Sequence, residues 1–291
     1  MTLILGMSKL EGIYLSADFR VTDPTSGDVI DDASVKLLDI LFPPAGGTRG
    51  LLAYTGLAKL PDGTPMGTWL VETMRGESEI PDQAMAHLLA RLNRDVAPRP
   101  DGLTVNVLLI EGEHGERRLF GEFTNRKVDA RSGRVATLSA FEYLMTELHG
   151  PFAFANGSGA TRVIADGHLA RVHDQLTIRP RRAFDHMKLL ASVNRRVAEK
   201  VKTVSPACHV AFVPAERPAP GASDDRFGPQ SRSFTERGEA APAVMPMLLF
   251  GIDTSIMVRR GQELFAALEA GGAPPPELDA DTVNRSMRRR D

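Results

Sequence analysis

The sequence predicts an α+β fold, namely a four-layer αββα sandwich of two stacked, mainly antiparallel sheets flanked by helix pairs. Two observations lead to this prediction. Short apolar runs typical of strands occur in two blocks, and each block precedes two stretches with apolar residues at helical spacing. The composition is that of an ordinary globular protein, with 42% hydrophobic and 25% charged residues among 291. Other α+β arrangements fit the same order of elements.

The first half of the chain holds the first strand block and the first helix pair. Apolar runs predict four strands, at residues 2–6, 13–17, 35–42 and 51–55, the first two forming a hairpin that turns near residues 9–12. The polar run over residues 21–32 predicts a loop. Helices are expected after Thr64-Pro65 and from Pro81, because proline is favoured in the first turn of a helix.

The second half holds the second strand block and the second helix pair. Strands are predicted at residues 104–110, 117–123, 135–141, 152–156 and 208–213, and helices over 160–172 and 183–200. Residues 214–242 are rich in Pro, Ala, Gly and Ser, which predicts a long loop. An apolar run at 245–252 and an amphipathic helix over 255–270 follow. We expect one domain over residues 1–270, with a loop insertion at 214–242, and a flexible tail at 271–291.

Composition and motifs exclude several classes of protein. The net charge of −2 gives no electrostatic reason to expect nucleic-acid binding, and no phosphate-binding glycine motif is present. The single cysteine, Cys208, excludes a disulfide framework and is expected to be a buried, inert thiol. The seven histidines are scattered, so we expect no metal and no cofactor. The first residues show no basic segment before a long apolar stretch, and no apolar run reaches the roughly 20 residues that span a membrane, so we expect no signal peptide and a cytoplasmic protein without membrane contact.

Thr2 is the first residue that could carry chemistry. Its side chain is small, so methionine aminopeptidase would remove Met1 and leave a threonine with a hydroxyl and a free α-amine. These two groups form a nucleophile and base pair on one residue, because an α-amine has a pKa of roughly 7.7–8.0. Taken alone, Thr2 also fits an ordinary N-terminus.

Asp18 and Lys36 would join Thr2 if the first three strands are neighbours. The hairpin returns Asp18 to the start of the first strand, and Lys36 enters on the third strand. A lysine ammonium beside the α-amine would lower the pKa of that amine and favour its neutral form, while Asp18 would hold Lys36 charged and oriented. Taken alone, Asp18 also fits a turn residue, and Lys36 fits a solvated strand end.

Three segments carry a resemblance to a known family: TLILGMSKLEGIYLSADFRVTD, SVKLLDI and LLAYTGLA. They resemble the start of proteasome β-subunits and of the related peptidase of the bacterial two-component heat-shock protease. The motif positions are Thr2, Asp18 with Arg20, Lys36, and Gly56, followed by the turn Gly157-Ser158-Gly159. The order of elements matches from residue 2 to about residue 213. The resemblance implies the N-terminal nucleophile hydrolase fold and a ring or stacked homo-oligomer.

The resemblance also implies a role for each of these residues. The Thr2 hydroxyl would attack a carbonyl carbon, with its own α-amine as base, Lys36 to tune that amine and Asp18 to orient Lys36. The Gly56 N–H would stabilise the oxyanion. Ser158 would hydrogen-bond the amine region and relay the proton. Arg20 would support the site by bracing the loop after Asp18. Gly157 and Gly159 would support it from the turn around Ser158.

The chain departs from the family pattern in three places, one of which is the loop at 214–242, which is long for this fold and would alter the stacking of rings. The acidic residue expected just before the strand at 208–213 is missing from residues 201–205, where only Thr203 or Ser205 could supply a hydroxyl to Ser158. The Pro/Gly-rich insertion between residues 40 and 56 is longer than usual and would reshape the substrate cleft.

The leading interpretation is a threonine hydrolase that cleaves amide bonds in peptides or unfolded proteins. The sequence does not identify an ATPase unfoldase partner. Two alternatives stay open. One is a non-catalytic proteasome-like protein that serves assembly or binding, and the other is a small-molecule amidase.

Overall fold

The computed structural model describes twelve segments of the chain. They are residues 2–22, 26, 28–42, 47–76, 80–97, 102–112, 114–128, 135–178, 182–216, 230–243, 245–249 and 251–254. The helix predicted over 255–270 and the tail predicted at 271–291 lie outside the described residues.

The described residues form strands and helices in the following order. The strands are β1 (Leu3–Lys9), β2 (Gly12–Asp18), β3 (Val21–Thr22), β4 (Val29–Asp31), β5 (Leu37–Leu41), β6 (Arg49–Thr55), β7 (Thr104–Glu111), β8 (Arg117–Val128), β9 (Val135–Glu147), β10 (Phe152–Gly157), β11 (Cys208–Pro214), β12 (Gln230–Phe234), β13 (Ala240–Pro242), β14 (Met247–Leu249) and β15 (Ile252–Asp253). The helices are α1 (Met66–Met74), α2 (Pro81–Asp95), α3 (Ala160–Ala165), α4 (His168–Ile178) and α5 (Ala183–Ala198).

The strands form three sheets. The six-stranded sheet has the order β10-β1-β2-β11-β12-β13, and the seven-stranded sheet has the order β15-β14-β5-β6-β7-β8-β9. The short strands β3 and β4 pair with each other. The pairing of β14 with β5 is parallel, and the other described pairings are antiparallel. The predicted hairpin is confirmed, because β1 and β2 pair with Lys9 opposite Gly12.

Buried apolar side chains link the two large sheets. Ile4, Ile13 and Leu15 of the six-stranded sheet cluster with Leu51 and Leu108 of the seven-stranded sheet. A second cluster joins β5, β6 and β7 to α1 and α2, and a third joins β1, β2 and β11 to α3, α4 and α5. Apolar burial on this scale supplies the main favourable free energy of folding.

The predicted αββα sandwich is wrong for this chain. Strands account for 43% of the described structure and helices for 26%, and the described strands form three sheets instead of two. Three helices, not a pair, lie between β10 and β11. The described part of the chain is therefore mostly β, and its sheets are not flanked by two matched helix pairs.

Most of the missed strands are very short. β3, β4 and β13 contain only two or three residues each. Segments of this length show no alternation of apolar and polar residues from which a strand could be predicted, while backbone hydrogen bonds to a neighbouring strand still hold them in place. The structure accordingly places β3 and β4 in the predicted loop at 21–32, and β12 and β13 in the predicted loop at 214–242.

None of the helices in the described segments is long and apolar enough to cross a membrane.

Candidate functional site

Lys36 lies at the centre of a buried polar cluster. It immediately precedes β5, and only 3% of its surface is exposed. Its ammonium donates to Thr2 Oγ1 at 2.6 Å and to Asp18 Oδ1 at 3.0 Å, and it also donates to the Arg20 carbonyl oxygen. An ammonium has three protons, so every donor of Lys36 has a partner. The structure thus brings together the three residues that the sequence suggested as a cluster.

Asp18 is fully buried at the end of β2. Its Oδ1 accepts the Lys36 bond, and its Oδ2 accepts the Ser205 backbone N–H at 2.8 Å. The Leu3 backbone N–H also bonds to this carboxylate. A buried carboxylate is tolerated when it is both paired and hydrogen-bonded, and Asp18 meets both conditions.

Burial shifts the pKa values of both members of this ion pair. Loss of solvent raises the pKa of Asp18, and the Lys36 charge opposes that shift. Loss of solvent lowers the pKa of Lys36, and the Asp18 charge opposes that shift. Each charge thus offsets part of the burial cost of the other, which is why the two residues are buried as an ion pair.

Thr2 is held at the start of β1 through its own carbonyl oxygen. That oxygen accepts the Ser158 backbone N–H at 3.0 Å and the Thr55 hydroxyl at 3.3 Å. Only 3% of Thr2 is exposed. Strand ends from both large sheets therefore fix its backbone while its hydroxyl contacts Lys36.

Gly157 allows the close approach of β10 to Thr2. It lies opposite Leu3 in the ladder and has a φ of +90°, which side chains rarely adopt. A Cβ at this position would lie 1.8 Å from the Thr2 carbonyl oxygen and 2.8 Å from Thr55 Oγ1. Gly159 is also crowded, because a Cβ there would lie 3.2 Å from a Leu3 methyl group.

The Ser158 hydroxyl bonds to the Thr203 hydroxyl at 3.0 Å. Of the two hydroxyl residues considered for that segment, Thr203 supplies this contact, whereas Ser205 contributes its backbone N–H to Asp18. Ser158 reaches Thr2 through its own backbone N–H. The predicted contact between the Ser158 hydroxyl and a free Thr2 amine stays a prediction.

Arg20 connects the segment after β2 to two other loops. Its Nε and Nη2 hold the Asp32 carboxylate at 3.0 and 2.8 Å. Its Nη1 donates to the carbonyl oxygens of Lys202 at 2.8 Å and Val204 at 3.3 Å. Because its own carbonyl accepts from Lys36, a displaced Arg20 would also disturb the ammonium.

Gly56 follows directly on β6, next to Thr55. Its φ is +111°, and a Cβ there would lie 2.0 Å from the Gly102 carbonyl oxygen, so a side chain does not fit. The hydroxyl of the preceding residue, Thr55, donates to the Thr2 carbonyl oxygen, so Gly56 directly follows a residue that contacts the candidate nucleophile. The role of its N–H as an oxyanion donor stays a prediction.

Sequence reasoning missed a polar cluster around Asn156, the residue before Gly157. Asn156 Nδ2 donates to Glu122 Oε2 at 2.9 Å and to Asn106 Oδ1 at 3.2 Å, and Asn156 Oδ1 accepts the Gly157 N–H at 2.7 Å. A signal was present, because Asn106 interrupts the apolar run of β7 at a fully buried position. A polar residue there needs a hydrogen-bond partner.

A cavity of about 610 Å³ lies beside Lys36. Its lining includes the apolar residues Leu38, Leu70 and Met245. Arg75 and Asp253 also line it and form an ion pair of 2.8 Å. The volume lies within the range of small-ligand pockets, and the mixed lining could bind one side chain of a larger substrate.

Comparison of the chain with protein-family models and with curated proteins gives no match.

Proposed function

We propose that this chain is a threonine-type hydrolase that cleaves amide bonds, with Thr2 as the nucleophile after removal of Met1. The observation that carries the proposal is the buried contact between the Lys36 ammonium and Thr2 Oγ1 at 2.6 Å, with Asp18 as the counter-ion. A hydroxyl held against a buried cation is poised to develop negative charge, because the cation stabilises the alkoxide. The resemblance of the motifs to proteasome β-subunits supports the same assignment.

The proposed reaction has two steps. The Thr2 Oγ attacks the carbonyl carbon of the scissile amide, and its proton passes to the neutral Thr2 α-amine, directly or through a water molecule. Lys36 donates to Oγ throughout, and the Gly56 N–H stabilises the tetrahedral oxyanion, which typically contributes about 2.7–4 kcal/mol. The α-ammonium then protonates the leaving amine as the C–N bond breaks. Water hydrolyses the resulting ester, which restores the Thr2 hydroxyl and releases the acid.

We further propose peptides or unfolded proteins as substrates, with one side chain in the cavity beside Lys36. We also propose that the chain forms a ring or stacked homo-oligomer in the cytoplasm. Such an assembly would enclose the proteolytic site and so protect folded proteins from cleavage. No partner unfoldase is assigned. The cavity favours a small-molecule amidase as the second candidate, since its volume also suits a compact ligand.

Intact mass of the purified full chain, before and after treatment with a peptide epoxyketone, tests the proposal. This electrophile reacts with a hydroxyl and an α-amine on the same residue. We expect a chain without Met1 that gains one reagent mass, and a Thr2→Ala chain that gains none. A chain that keeps Met1 and stays unlabelled would overturn the proposal and favour a non-catalytic assembly protein. Labelling of a monomer or dimer in size-exclusion chromatography would favour the small-molecule amidase.

A further inference from the structure

Glu122 and Asn156 connect β8 of one large sheet to β10 of the other. Glu122 Oε2 accepts a proton of the Asn156 amide at 2.9 Å, across 34 residues of sequence. Glu122 has a half-buried side chain on β8, and its neighbour on β7, Asn106, is fully buried. The pair therefore forms a polar contact directly before the turn at Gly157 and Ser158, which bonds to Thr2.

The contacts of Asn156 fix the orientation of its amide. Nδ2 has two protons, which go to Glu122 and Asn106, and Oδ1 accepts the Gly157 backbone N–H at 2.7 Å. Rotation of the amide by 180° would put Oδ1 against the Glu122 carboxylate and Nδ2 against the Gly157 N–H, and both contacts would be repulsive. Glu122, which offers only acceptors when ionised, therefore sets the direction in which Asn156 faces Gly157.

The Gly157 and Ser158 backbone transmits this orientation to Thr2. The Asn156 side chain fixes the peptide N–H of Gly157, and the next N–H, that of Ser158, donates to the Thr2 carbonyl oxygen at 3.0 Å. A shift of this turn would move the Thr2 backbone, because Gly157 already lies against the same oxygen. Small displacements of a nucleophile lower reaction rates strongly.

We propose that Glu122 is a positioning residue for the Thr2 nucleophile and acts through Asn156. The inference rests on the proposed function and adds a residue to its machinery. A role in packing alone does not explain a carboxylate at this place, because Phe120 and Leu108 fill nearby positions on the same two strands with apolar side chains. Burial raises the pKa of Glu122, and the Asn156 hydrogen bond opposes that shift, so the carboxylate is retained against a desolvation penalty.

Labelling kinetics of the full chain with the peptide epoxyketone test this role. The variants are Glu122→Ala, Asn156→Ala, their double variant and Glu122→Gln, with Glu142→Ala as a control at an exposed carboxylate on the adjacent strand β9. We expect each single alanine variant to lower the maximal labelling rate about tenfold, with an unchanged half-saturating reagent concentration. The double variant should show no further loss, because both residues act in one chain of contacts. Glu122→Gln should keep the rate, because its amide oxygen accepts the same bond, and Glu142→Ala should match the wild type.

Several outcomes would overturn the inference. These are wild-type rates in Glu122→Ala, additive losses in the double variant, or an equal loss in Glu142→Ala. Should Glu122→Ala fail to fold, a tenfold loss in Glu122→Gln would also contradict it. A wild-type chain that is not labelled would instead contradict the proposed function itself. A labelled wild type with unaffected variants would contradict only the role of Glu122, so the two failures are distinguishable.

Discussion

The Lys36 ammonium lies between the Thr2 hydroxyl, at 2.6 Å, and the Asp18 carboxylate, at 3.0 Å. The three residues belong to different strand ends, and all three are nearly inaccessible to solvent. A solitary buried cation would be strongly destabilising, so the carboxylate compensates the charge, while the hydroxyl oxygen accepts one of the hydrogen bonds that the ammonium donates. The hydrogen bonds that stabilise the buried Lys36 charge therefore also fix the position of the Thr2 hydroxyl.

Replacement of Lys36 by methionine should reduce both stability and reactivity. The substitution keeps the volume but leaves the buried Asp18 charge without its partner, which typically destabilises a protein by about 3–5 kcal/mol. The double variant Asp18→Asn/Lys36→Met should regain much of the free energy of unfolding, because no buried charge remains, but it should not be labelled by the epoxyketone. Urea unfolding and intact mass measure the two effects.

Lys200→Met is the matched control for this experiment. Lys200 forms an exposed ion pair with Asp166 at 3.0 Å, so its replacement should change little. Epoxyketone labelling of Lys36→Met at the wild-type rate would show that the ammonium does not assist Thr2.

The convergence of Thr2, Asp18 and Lys36 was predictable from the sequence. A tight hairpin returns β2 beside β1, so residue 18 must lie near residue 2, and the motif order suggested Lys36 on a neighbouring strand. The contact of Glu122 with Asn156 was not predictable in the same way. It connects two sheets, and which strands face each other depends on tertiary packing that one sequence does not encode in a local pattern.

The sheets were predicted less well than the site. β1 and β2 were found because their residues are buried and apolar. β9 continues to Glu147, beyond its predicted end at residue 141, because residues 142–147 pair with β8, and this pairing is not visible in a local sequence pattern. The predicted sandwich was wrong because pairings of this kind, and strands as short as β3, β4 and β13, leave no distinctive pattern in the sequence.

Gly157→Ala should disturb the site, whereas Gly63→Ala should not. Both glycines have φ near +90°, so either substitution strains the backbone by roughly 1–2 kcal/mol. Only at Gly157 would the new Cβ collide with the Thr2 carbonyl oxygen, since nothing lies within 4 Å of a Cβ at Gly63. We expect Gly157→Ala to lose most epoxyketone labelling and to unfold at lower urea than Gly63→Ala. Equal behaviour of the two variants would contradict the packing described for the turn.

Cys208 should resist alkylation in the folded protein. It is fully buried, as expected from the sequence, and burial raises its pKa to about 12. A thiol reacts as its thiolate, so iodoacetamide at pH 8 should label Cys208 only after unfolding in urea. Mass spectrometry distinguishes the labelled and unlabelled chains. Rapid labelling without denaturant would mean that β11 opens easily and that the site beside it is not rigid.

Asp39 should make the protein less stable as the pH rises towards neutrality. Burial raises the pKa of this carboxyl from 3.8 to about 7, although the Ile40 N–H and the Arg49 charge oppose the shift. Between these two pH values the folded protein holds a proton that the unfolded chain has released. The free energy of unfolding should therefore fall by about 1.4 kcal/mol per pH unit over this window from this residue alone.

Asp39→Asn should remove this part of the pH dependence, because an amide does not titrate. Urea unfolding at pH 5 and pH 8 tests the expectation, with Asp28→Asn as the control at an exposed aspartate. The variant should be more stable than the wild type at pH 8, and its advantage should shrink or reverse at pH 5, where the wild-type carboxyl is protonated in the folded state. The opposite outcome is a parallel loss of stability in all three proteins, the wild type, Asp39→Asn and Asp28→Asn, between the two pH values. It would mean that Asp39 is already ionised in the folded protein at pH 5, because the Arg49 charge outweighs the effect of burial on its pKa.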